Sequence, residues 1–122
     1  MYFNTLIHIL MLFLASFVTA TPTTYGPVGQ ESLHDIALQY SENSEYTIEQ
    51  WAVGIWQSNP RSFANQNLFA ILPNSIIQIP EQETIQNISQ EVALATIHNQ
   101  LQHWQALFQQ DSITSSIPAP HV

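Results

Sequence analysis

The stretch 47-TIEQWAVGIWQSNPRSFANQNLFAILPNSIIQIP-80 decides how this chain folds. Its first third is helical by pattern. Ile48, Trp51, Ala52, Ile55 and Trp56 fall at i, i+3, i+4, i+7 and i+8, which is one apolar face. Thr47 and Gln50 have the spacing of a capping box. Gly54 costs about 1 kcal/mol relative to Ala inside a helix, an expense that close approach of the other helix would offset. Pro60 stops the helix, because the residue before a proline is pushed toward extended geometry. From Asn59 to about Asn74 the residues are mostly small, polar and turn-forming, and they read as a loop. The loop feeds a strand, 75-SIIQIP-80. Ile77 and Ile79 share one face of it, and Ile76 joins Gln78 on the other.

Upstream, 21-TPTT-24 reads as a spacer and 25-YGPVG-29 as a short extended piece. Pro27 confines it to an edge, because it has no backbone donor. Residues 32-SLHDIALQY-40 read as a helix capped by Ser32. Leu33, Ile36, Ala37 and Tyr40 form its apolar face. The stretch 41-SENSEY-46 is a polar loop. Two short strands flanking a helical hairpin predict an α+β domain of the order β-α-α-β, with a two-stranded antiparallel sheet.

Downstream, a C-terminal helix is expected within residues 84–110, its periodic part running from Ser89. Leu94, Ile97, Leu101, Trp104 and Phe108 alternate three and four apart. That stripe either packs on the domain or forms an interface with a partner. The tail, residues 111–122, is rich in Ser and Pro and is expected to be disordered.

The 122-residue chain begins with an apolar run, 5-TLIHILMLFLASFVTA-20, too short for a membrane span of about 20 residues. Val18-Thr19-Ala20 has the small-x-small pattern of a cleavage site, so residues 1–20 are expected to be a signal peptide. Export follows, with a membrane association only if the segment is retained as an anchor. The net charge is −8 and Arg61 is the only Lys or Arg. That excludes a nucleic-acid binder, whose affinity rests on basic side chains that neutralise phosphates. There are no cysteines, so no disulfide and no thiolate zinc site is available. His98 and His103 are five apart, roughly 140° around a helix, and cannot chelate as an i, i+4 pair would. No metal, cofactor or catalytic residue is expected. The acidic residues imply no pair facing each other across a cleft, as glycoside hydrolysis needs. Trp51 is expected in the core, and Trp56 either on the groove side or against the third helix.

These residues together resemble a LysM domain. They are closest to the N-terminal periplasmic segment of the FimV family of type IV pilus-assembly and polar-organising proteins. The resemblance covers residues 25–80 and extends loosely to about 105. It rests on 25-YGPV-28, on 32-SLHDIA-37, where LysM domains carry Thr-Leu-aromatic-x-Ile-Ala, and on the helix ending in Asn59-Pro60. The Asn-rich turn and the closing Ile-Gln-Ile-Pro complete it. The usual Gly-Asp/Glu-Thr reads here as Gln30-Glu31-Ser32, and the aromatic after the leucine is His34.

The resemblance implies a non-catalytic module that binds peptidoglycan through its N-acetylglucosamine-containing strand. The implied groove lies between the loop after the first strand and the loop before the second. On this chain its walls would be Gly29, Gln30, Glu31 and Ser32 on one side and Asn59, Pro60, Arg61 and Phe63 on the other, with Leu72 and Pro73 beside them. The alternative is a protein-interaction module of pilus or secretion assembly without sugar affinity, using the C-terminal helix as its contact surface.

Overall fold

The computed structural model of the chain describes the backbone of residues 22–116 and the side chains of residues 22–109. The expected signal segment lies outside the described residues. Strand β1 is Thr23–Tyr25, helix α1 Leu33–Ser41, helix α2 Ile48–Ser58, strand β2 Ile77–Ile79, helix α3 Gln82–Gln86 and helix α4 Gln90–Ser116. The expected α+β architecture is present, with β1 and β2 paired antiparallel in the register Thr23↔Ile79, Thr24↔Gln78 and Tyr25↔Ile77.

Both capping boxes form. Ser32 Oγ accepts from Asp35 N (3.1 Å) and Asp35 Oδ2 accepts from Ser32 N (2.9 Å). Thr47 Oγ1 accepts from Gln50 N (3.2 Å) and Gln50 Oε1 accepts from Thr47 N (2.9 Å). Each satisfies donors that the first helical turn leaves unpaired.

Helix α2 is the centre of the molecule. Residues 50–55 are all buried, so the apolar stripe seen in the sequence understates the buried surface. Helix α1 packs along one side of α2, β2 and α3 approach others, and α4 crosses it as well. The core combines Ile36 of α1, Val53 and Ile55 of α2, Ile77 of β2 and Ile85 of α3, all essentially inaccessible to solvent. Full burial of each such side chain contributes about 1.5–3 kcal/mol. Gly54 is needed where expected, but its close neighbour is not the hairpin partner. A Cβ there would collide with the side chain of Ile85 and sit 3.4 Å from that of Ile88.

Four sequence expectations are corrected. The first strand starts two residues earlier than 25-YGPVG-29, at Thr23 in the stretch read as a spacer, and shares only Tyr25 with it. At Gly26 the backbone turns with φ +130°, where a Cβ would sit 2.6 Å from Ser75 O. The chain then continues beside residues 74 and 75, Val28 N donating to Ser75 O (2.9 Å) and Asn74 N to Val28 O (2.6 Å).

The second correction is at the loop of residues 59–74, which is more ordered than a plain connector. It holds two 3-10 turns, Pro60–Ser62 and Ala64–Gln66, and a bridge between Phe63 and Ile71. Third, the C-terminal helix begins as two pieces. Helix α3 precedes a break at Asn87–Ser89, and Ser89 Oγ accepts from Val92 N (3.1 Å) to start α4. Fourth, α4 continues through residues 111–116, into the stretch expected to be disordered. Adding a residue to an existing helix is far easier than nucleating one, and no proline interrupts the sequence before Pro118.

The face by which α4 packs is also offset from the stripe in the sequence. Ala93 is fully buried and Ile97 half-buried against the core, whereas Leu94 is 56% and Phe108 54% exposed. Among the described residues no helix is long and apolar enough to cross a membrane.

Candidate functional site

The two expected groove walls have different fates. On the first, Glu31 Oε2 accepts from Gly29 N (2.7 Å), so a backbone donor that could meet an acetamido group is already taken within the turn. Ser32 is occupied as the cap of α1. Its partner Asp35 has its carboxyl pKa lowered, first by the backbone hydrogen bond from Ser32, then by the Ser32 hydroxyl and the nearby His34. Gly29 and Gln30 are exposed.

On the second wall, Asn59 and Phe63 leave the candidate site altogether. Asn59 is 6% exposed and Phe63 4%. The Asn59 amide donates to Ile55 O (2.7 Å) and Gln78 O (2.8 Å) and accepts from Gln78 N (2.8 Å). It terminates α2 and ties it to β2. The Phe63 ring belongs to the core cluster beneath the loop. An Asn-Pro pair at a helix end looks the same in a sequence whether its side chain turns to solvent or to the sheet. Pro60 and Arg61 remain exposed, as do Leu72 and Pro73.

The two loops do meet, but of the expected wall residues only Ser32 is at the junction. A small cleft of about 130 Å³ opens between the start of α1 and the tip of the second loop. Ser32, Leu33 and His34 line one side, Leu68 and Phe69 the other, and Ile48 and Ala52 of α2 contribute to the lining. Phe69 is 40% exposed. Its backbone is held by Asn67, whose Oδ1 accepts from Phe69 N (2.9 Å). Helix α4 enters the site as well. Ile97 lines the cleft, and one turn on, Gln100 fastens the loop: its Oε1 accepts from Leu68 N (3.1 Å) and its carbonyl from Asn67 Nδ2 (3.1 Å). Leu68 and Phe69 could have been suspected from the sequence as the start of an apolar run, residues 68–73, within the loop.

Pro60 lines a different cleft, of about 240 Å³, with Trp56, Gln57 and Gln66. A larger one of about 670 Å³ lies between Trp56, the loop of residues 65–67 and the middle of α4. Trp56 faces the loop of residues 65–67 and, across the larger cleft, α4, and it does not line the cleft where the two groove loops meet. Its indole Nε1 donates to Gln66 O (3.2 Å). Among the described residues, no group of three or more His, Asp or Glu side chains could hold a metal ion.

Comparison with known proteins finds no matching family model, no matching curated protein and no matching solved structure.

Proposed function

We propose that this chain is an exported, non-catalytic module of the cell envelope that binds peptidoglycan, taking N-acetylglucosamine units of a glycan strand where its two loops meet. The observation that carries the reading is the cleft between Ser32–His34 and Leu68–Phe69. Its volume, about 130 Å³, is well below the roughly 300–1,000 Å³ of sites that enclose a small molecule. A cleft of that size takes one appendage of a longer ligand, such as the methyl of an acetamido group, while the polymer lies across the surface. Its lining supports this use: Leu33, Ile48, Ala52 and Leu68 are apolar, and Ser32, His34 and Glu49 are the polar members. The β-α-α-β order and the sequence resemblance to the FimV periplasmic segment support the same ligand class and a periplasmic location.

Co-sedimentation of the full chain with purified peptidoglycan sacculi tests the reading. The wild-type protein is expected in the pellet at moderate salt, and Phe69→Ala with His34→Ala is expected to lower the bound fraction at least fivefold. Wild-type protein that sediments no better than an unrelated acidic control would overturn it. A second reading, a contact with a pilus- or secretion-assembly protein through α4, is favoured by one observation: Leu94 and Phe108 are more than half exposed on a helix whose other face packs on the domain.

A further inference from the structure

We propose that the cleft between Trp56 and α4 is a second saccharide subsite, built by the added helix and continuing past the Trp56 ring to Pro60. It rests on the glycan reading above for the kind of ligand, and on its own geometry for the place.

Three observations carry it. The first is size and continuity. The cleft measures about 670 Å³, within the range of sites that hold small ligands. It shares Trp56 and Gln66 with the neighbouring cleft of about 240 Å³ that Pro60 lines. An oligosaccharide can therefore run along both.

The second is chemistry. One wall is an indole, which offers a flat apolar face. The others bring side-chain amides from Asn65, Gln66 and Gln100, the His103 ring and the aliphatic Leu107. Among the described residues, no Asp, Glu, Lys or Arg lines either cleft, in a chain of net charge −8. A charged ligand would lose hydration there without gaining a counter-ion. A neutral pyranose, with C–H faces for the indole and hydroxyl and acetamido rims for the amides, meets both kinds of surface.

The third is preorganisation. Asn65 and Gln66 both stand at positive φ, 53° and 56°, an uncommon state for side-chain-bearing residues and one that costs about 1 kcal/mol or more each. The surrounding bonds hold them there. Ala64 N donates to Ala70 O (2.8 Å), Gln66 N to Phe63 O (3.2 Å), and the Trp56 indole to Gln66 O. The same Gln66 carbonyl thus fixes the ring against the turn. The Asn67–Gln100 and Leu68–Gln100 bonds fix the turn against α4. Both walls are set before a ligand arrives, so little ordering is left for binding to do.

The test is titration of the full chain with the β-1,4-linked tetramer of N-acetylglucosamine, by calorimetry, beside the sedimentation assay with sacculi. Wild-type protein is expected to bind the tetramer saturably. Trp56→Ala and Leu107→Glu are each expected to weaken it at least tenfold, with Trp56→Phe between. Leu107 is 38% exposed on the helix, so its variant keeps the test decisive if Trp56→Ala fails to fold. Tetramer binding lost in both variants supports the subsite, even if wild-type protein does not sediment with sacculi and the peptidoglycan reading fails. Full affinity in folded Leu107→Glu, with binding abolished instead by Phe69→Ala, overturns the subsite and leaves the first cleft standing. No tetramer binding by wild-type protein overturns the subsite, and sedimentation then decides the peptidoglycan reading separately.

Discussion

The side-chain amide of Asn59 pairs with the backbone of Gln78 as a neighbouring strand would. Its Nδ2 donates to Gln78 O and its Oδ1 accepts from Gln78 N, each at 2.8 Å. In an antiparallel pair the hydrogen-bonding groups of alternate residues point to opposite sides. Those of Gln78 turn away from β1 and would otherwise be an open sheet edge. Asn59 closes that edge and at the same time caps Ile55 O at the end of α2. One side chain therefore sets the position of the sheet against the central helix.

Asn59→Ala is accordingly a stability variant. It removes three hydrogen bonds and leaves backbone groups of Gln78 and Ile55 to find other partners, at a cost of about 2–3 kcal/mol. Urea unfolding should show a lower midpoint with an unchanged slope. An unfolding free energy within about 0.5 kcal/mol of wild type would mean the amide pairing is not formed in solution.

Asp35 links the start of α1 to pH. Its folded-state pKa is depressed by the Ser32 bonds, so it adds stability above its unfolded value, near 3.9, and loses it as pH falls through the lower folded value. Asp35→Asn should be less stable than wild type at pH 7, and the gap should narrow below about pH 3.5. Chemical unfolding at the two pH values measures it. A gap that stays constant or widens in acid contradicts the capping bond. Ser32→Ala should cost about 1 kcal/mol at neutral pH.

Gly54→Ala sets two effects against each other. Helix propensity favours Ala by about 1 kcal/mol. The new methyl, however, meets the side chain of Ile85 in a filled core, and overpacking of this kind costs about 1–3 kcal/mol. The single variant should be destabilised or at best neutral. Adding Ile85→Val should recover stability relative to the sum of the two single changes. A double-mutant cycle with additive energies would mean the two side chains do not meet.

Gln100 is the fastening of α4 to the loop. Gln100→Ala removes the acceptor of the Leu68 amide and should lower stability by about 1 kcal/mol. Hydrogen exchange at the Leu68 amide should accelerate well beyond what the global change accounts for, because the opening is local. Unchanged exchange there would indicate that the loop holds its shape without the helix.

Leu94→Ser should change stability by less than about 0.5 kcal/mol, whereas Ala93→Asp should unfold much of the domain. The two neighbours differ only in which side of α4 they occupy: Ala93 is fully buried and Leu94 largely exposed. Thermal melts of the two variants check the helix rotation directly. A reversed order would restore the packing face suggested by the heptad-like stripe.

Much of the fold was legible. The caps at Ser32 and Thr47, the faces Leu33–Ile36–Ala37 and Trp51–Ala52–Ile55, and the inward pair Ile77 and Ile79 all follow from local rules, and all are observed. Legibility failed where the deciding partner is distant in sequence. Gln50 and Val53 lie off the apparent apolar face of α2, yet both are buried, because elements on several sides enclose that helix. Gln50 finds its partner in Ile88 O (2.6 Å), which no local pattern announces. The site was less legible than the fold. Asn59 and Phe63 were expected to face a ligand and instead face the sheet and the core, while Phe69 and His34 stand at the junction of the loops.

The sequence by itself determined the β-α-α-β order, the caps of the two central helices and the presence of a C-terminal helix, because caps, prolines and apolar periodicity act within a few residues of one another. Only the tertiary structure decided which polar side chains are spent inside and which surfaces remain for a ligand. A buried amide such as that of Asn59 must be satisfied by whichever backbone groups packing brings to it. In this fold two of its three bonds go to a strand nineteen residues away, and the surface left open passed to Trp56, Phe69 and the face of α4 that closes over them.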